Sequence, residues 1–148
     1  YVARHPHAYG QPYTTNNNFA LITRSITPTM SGRVRSVQWR PPGIGCWKVN
    51  VDGYALGKPG DVGIGAVVRD QEGSIILMVS KYIGITDSNV AELTAIEEVV
   101  HELISGGGQP LPFLHGESDS TTIVSWLQPE NAYPWNLDTL VVETRRLL

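Results

Sequence analysis

The stretch CWKVNVDGYALG, residues 46–57, decides how the chain is read. Trp47, Val49 and Val51 alternate with Lys48, Asn50 and Asp52, the two-residue period of a strand that lays one face on a core. Asp52 ends the alternation and Gly53 follows it. Aspartate is a poor strand residue, and next to a core its charge has to be solvated or paired. Taken alone, Asp52 reads equally well as a turn residue ahead of a glycine.

Downstream, GYALGKPGDVG (53–63) reads as a glycine-rich loop and IGAVVRD (64–70) as a second strand. DQEG (70–73) reads as a turn, and SIILMVSKY (74–82) as a third strand rich in branched residues. Short connections between three successive strands predict an antiparallel meander. The spacing of Leu93, Ile96, Val100, Leu103 and Ile104 predicts a helix over about Val90 to Ser105. Asn89 and Glu92 stand at capping-box spacing before it, and SGGG (105–108) stops it. LPFLHGESDS (111–120) reads as a fourth strand, Ser120 to Leu127 as a short helix closed by Pro129. WNLDTLVVETRRLL (135–148) reads as an amphipathic helix whose Arg145 and Arg146 suit a helix C-terminus. The order βββ-α-β-α-α is that of an α/β domain.

Upstream the character changes. Residues 1–38 lack sustained periodicity and are expected to be a flexible basic tail or linker, FALIT alone being apolar enough for a short strand. WRPPGIG (39–45) is a stiff lead-in to a domain spanning residues 39–148. With 148 residues and 41% hydrophobic side chains, the chain can bury one ordinary core. No run approaches the roughly 18 apolar residues of a membrane span, and the reading excludes a membrane partner. Cys46 is the only cysteine, so no internal disulfide forms, which favours a reducing compartment.

Residues 1–40 carry five arginines and no acid, a charge of +5. Residues 41–148 hold the other six basic groups and all fourteen acids, leaving −8. A protein that coats DNA through bulk charge shows a basic face, and this domain does not. Cations would have to mediate part of any contact with nucleic acid.

Three carboxylates stand out by context. Asp52 ends the first strand, Glu92 lies at the start of the first helix, and Asp119 follows the fourth strand. If the fourth strand pairs with the first, Asp52 and Asp119 meet at one end of the sheet, and Glu92 approaches from the helix. Carboxylates gathered this way repel unless a cation lies between them, and Mg²⁺ is bound through such oxygens. The plainer alternatives are a helix cap for Glu92 and an N-cap for Asp119. Glu97, Glu98 and Glu102 read as a solvated helix face. The chain has no P-loop, no nucleophile elbow and no zinc spacing.

WRPPGIGCWKVNVDGYALG, GIGAVVRDQEG, SNVAELTAIEEVV and ESDSTTIVSWL occur in that order. Together they resemble the type 1 ribonuclease H family, in its plant reverse-transcriptase-like, retroelement-derived branch, over about residues 39–128. The resemblance implies a ribonuclease H-like mixed sheet with flanking helices. It also implies cleavage of the RNA strand of RNA–DNA hybrids with two Mg²⁺ ions, Mn²⁺ being the substitute, in an intracellular and nuclear setting. By motif, Asp52, Glu92 and Asp119 match the family's catalytic and metal-binding carboxylates. Lys48, Asn50, Asn89 and Ser120 are the neighbouring polar candidates for substrate contact. Hybrid recognition would rest on backbone shape and 2′-hydroxyls.

The resemblance further implies a strand or loop and a helix beyond the last helix, bearing a fourth acidic ligand. Leu148 comes before any such pattern, so the expectation is a C-terminally truncated domain short of one ligand. Asp138 reads as a first-turn helix acid and His115 as a strand residue; neither replaces it. The competing function is a catalytically inactive domain that binds nucleic acid or a protein partner.

Overall fold

A computed structural model describes residues 2–4, 19–23, 39–57, 59–106 and 111–148, the first two segments by backbone alone. In chain order the elements are β1 (Val2–Arg4), β2 (Phe19–Thr23), β3 (Cys46–Gly57), β4 (Gly60–Arg69) and β5 (Ile75–Thr86). They continue with α1 (Ser88–Ser105), β6 (Phe113–Ser118), α2 (Thr121–Leu127) and, after a 3-10 turn at Trp135–Leu137, α3 (Asp138–Leu147). β3, β4 and β5 form the expected antiparallel meander, and β6 runs parallel to β3. Within the six-stranded sheet the order is β1-β5-β4-β3-β6-β2.

The expected glycine-rich loop is instead strand. β3 and β4 stay paired from Lys48↔Arg69 to Gly57↔Gly60, so the hairpin turns only at the far end. Gly57 takes the left-handed φ of +102° that the turn requires. At Gly60 a Cβ would lie 1.5 Å from the Leu56 carbonyl oxygen, so no other residue fits. Glycine there marks close backbone approach rather than a loop.

Two pieces of the span read as a tail lie in the sheet. β1 pairs antiparallel with β5, and β2 pairs parallel with β6, covering both edges of the central four strands. Unpaired edges template association with other chains. Deleting residues 1–23 is therefore expected to cause concentration-dependent self-association in sedimentation. It should also lower the urea midpoint, at about 1 kcal/mol net for each ladder hydrogen bond lost. The rest of residues 1–38 falls outside the described set.

The core lies on one face. Val49, Val51, Val62, Ile64, Ala66, Val68, Leu77 and Val79 project from the strands onto Leu93, Ile96, Val99 and Val100 of α1, all under 9% exposed. α3 packs beside α1. Arg145 donates to the carbonyls of Trp126, Gln128 and Asn131. It therefore satisfies the end of α2 rather than its own helix, as the last turn of any helix leaves carbonyls without partners. No helix among the described residues is long and apolar enough to cross a membrane.

Candidate active site

The site lies where β3 and β6 run side by side and α1 begins. Lys48, Asn50 and Asp52 alternate with the core residues Val49 and Val51, so they belong to the sheet face away from α1. Parallel pairing sets Lys48 against His115 and Asn50 against Glu117. Two residues beyond that last pair stand Asp52, still on β3, and Asp119, just past the end of β6, both exposed.

Glu92 enters from the helix layer. α1 is capped by Asp87, whose Oδ1 accepts from the backbone N–H of Asn89 at 2.9 Å and of Val90 at 3.0 Å. The N-cap expected at Asn89 is thus Asp87, two residues upstream, with Val90 rather than an acid at the third helical position, and Glu92 stands in the second turn. Gly53 lets the helix settle there. A Cβ on Gly53 would lie 2.7 Å from the Ala91 carbonyl carbon, the Ala91 Cβ and the Glu92 nitrogen. The half-buried Glu92 carboxylate accepts from Ser118 Oγ at 2.9 Å. Ser118 Oγ in turn accepts from the Ser120 N–H at 3.1 Å.

Burial raises the Glu92 carboxyl above the ordinary carboxylate range, opposed by the Ser118 hydroxyl and reinforced by the charges of Asp119 and Asp52. Among the described residues, no group of three acidic, histidine or cysteine side chains stands close enough to hold an ion. What is assembled is the donor set: three hard oxygen ligands at one end of the sheet, two of them exposed and able to change rotamer at small cost. That set suits a hard divalent cation in donor type.

A group whose pKa is raised by folding weakens the fold as it ionises, so this loss appears as pH climbs through the raised value. Glu92→Gln should consequently raise the melting temperature at neutral pH. The advantage should shrink as the pH falls into the carboxylate range, which thermal melts at several pH values will register.

The polar neighbours divide. Lys48 is not placed to meet a substrate: it is 6% exposed, ion-paired with Glu117 at 3.0 Å and bonded to the Arg40 carbonyl at 2.8 Å. The Trp39 ring covers it, 5.4 Å from centroid to Nζ. Asn50 gives its amide to Glu117 Oε2 at 2.8 Å. Ser120 caps α2, its Oγ accepting from the Ile123 N–H at 3.3 Å, and its hydroxyl also lowers the Glu92 pKa. Asn89 is half-buried beside the Asp87 cap. Gly53, Glu117 and Ser118 were not singled out by sequence; the DG and ES pairs flanking the aspartates were their only trace.

A three-stranded antiparallel meander, a parallel strand beside its first member and helices packed on one face make this a ribonuclease H-like fold. A family model described as reverse transcriptase-like matches residues 50–148, and the chain belongs to that family. Among solved structures it is similar to LC11 ribonuclease H1, isolated from compost by a metagenomic approach. The two are 28% identical over 70% of this chain and 76% of that one, with a TM-score of 0.64. The same enzyme solved with an RNA/DNA hybrid matches at 29% identity over 68% of this chain and 75% of that one, TM-score 0.61. Ribonuclease H1 of the archaeon Halobacterium salinarum matches at 25% identity over 70% and 77%, TM-score 0.57. No curated protein matches the chain in sequence.

Proposed function

We propose that the chain is a metal-dependent ribonuclease that cleaves the RNA strand of RNA–DNA hybrids, in the plant, retroelement-derived branch of its family. The observation that carries this is that the charges of Asp119 and Asp52, at the end of the sheet where β3 and β6 run side by side, both bear on Glu92. It is supported by similarity to an enzyme crystallised on an RNA/DNA hybrid. Asp52, Glu92 and Asp119 would hold Mg²⁺, which when bound activates water and offsets charge on the scissile phosphate. Asp52 supplies a ligand on the rigid central strand. Ser118 holds the Glu92 carboxylate through the hydrogen bond it donates to it.

The second reading, a domain that binds hybrid without cutting it, draws on the described residues holding no group of three acidic, histidine or cysteine side chains that could bind an ion. An end-labelled hybrid incubated with the chain distinguishes the two. Mg²⁺-dependent shortening of the RNA strand alone supports the nuclease. Hybrid retention without cleavage at any Mg²⁺ concentration leaves the binding domain.

A further inference from the structure

Behind Asp52 and Asp119 the two strands are joined by a polar ladder that the functional reading does not use. Glu117, 7% exposed, takes Lys48 Nζ on Oε1 at 3.0 Å and Asn50 Nδ2 on Oε2 at 2.8 Å. Lys48 is itself held by the Arg40 carbonyl and the Trp39 ring. A buried ion pair is weak evidence of stabilisation, because apolar side chains of similar volume commonly replace one without loss. Asn50 adds a cost of its own, since its buried Oδ1 has no hydrogen-bond partner among the described residues. The ladder also places a further carboxylate two residues from Asp119, paired with the Lys48 charge. These features are poorly explained by stability and better explained by register.

β6 needs its register specified. It is six residues long, FLHGES, with adjacent apolar residues at one end and a glycine in the middle. Its hydrophobic pattern fixes alignment weakly, and a one-residue slip would carry Asp119 to the opposite face. The observed pairing sets Glu117 against Asn50, and so fixes where Asp119 leaves β6 relative to Asp52 two residues further along β3.

We infer that Glu117 is a positioning residue, locking β3 to β6 through the Asn50 amide, with Lys48 balancing its charge, so that Asp52 and Asp119 present their carboxylates together. The inference rests on the metal-dependent reading above. Groups that orient metal ligands change affinity by about 10–100-fold when removed.

The test is calorimetric Mg²⁺ binding to the full chain, with thermal melting and hybrid cleavage alongside. The triple variant Lys48→Met, Asn50→Leu, Glu117→Met exchanges the ladder for apolar groups. It is expected to melt cooperatively near the parent yet bind Mg²⁺ at least about tenfold more weakly. The double variant Lys48→Met, Glu117→Gln keeps an acceptor for the Asn50 amide and should return to within about twofold of the parent. A folded triple variant with the parent's affinity overturns the inference, as does a double variant no better than the triple. Should the triple variant not fold, Asn50→Leu alone decides, since it leaves the ion pair intact: weaker Mg²⁺ binding at an unchanged melting temperature supports the lock, and unchanged binding overturns it. A parent chain that binds no Mg²⁺ overturns the functional reading itself, and the inference with it.

Discussion

Asp52→Asn is expected to abolish Mg²⁺-dependent hybrid cleavage while leaving the fold as stable as before, or more so. The two halves of that expectation have separate causes. Asp52 is exposed, makes no core contact, and is nearly isosteric with asparagine, so packing does not change. Its charge presses on Glu92 together with that of Asp119, so removing it relieves repulsion in the folded state. The amide lacks the negative oxygen a hard cation requires. If the bound ion supplies several kcal/mol of transition-state stabilisation, cleavage should fall on the order of 10³-fold. Single-turnover cleavage at saturating hybrid measures the loss, and a thermal melt at the same pH measures the fold. Equal cleavage by variant and parent would remove Asp52 from the chemistry. A matching drop in melting temperature would make it a structural residue instead.

The alternation around Val49 and Val51 and the stripe of α1 were legible because each repeats a period over many residues. The pairing of the fourth predicted strand with the first was legible only as a condition, since nothing local says which strands lie together; the parallel β3–β6 register supplies that. Lys48 was misread for a related reason. Alternation assigns it correctly to the face away from the core, but Trp39 and Arg40 fold back over that face and bury it. The N-cap fell two residues off because Asp87 and Asn89 satisfy the same local rule, and backbone geometry chooses between them. The edge strands β1 and β2 are three and five residues long. At that length no period can be counted, and it is pairing with an existing sheet that makes the strand.

The glycines carry the sharpest lesson, and the last prediction follows from it. GYALGKPGDVG looked like a loop because glycine in sequence signals conformational freedom, whereas Gly53 is required for space. A methyl group there would meet backbone atoms of Ala91 and Glu92 at 2.7 Å, and backbone cannot swing aside as a side chain can. Gly53→Ala must therefore push α1 away from β3. Overpacking of this kind costs about 1–3 kcal/mol, and the same displacement carries Glu92 away from Asp119 and Asp52. A misplacement of about 1 Å at a reacting site costs on the order of 10²-fold in rate. Gly63→Ala is the matched control: it lies on the neighbouring strand with nothing within 4 Å of the added methyl, and should change neither quantity appreciably. Urea unfolding of both variants, read beside their cleavage rates, tests the account. A Gly53→Ala chain as stable and as active as the Gly63→Ala chain would mean that α1 does not bear on the strand as closely as the coordinates have it, and that Glu92 is held in place by something other than this contact.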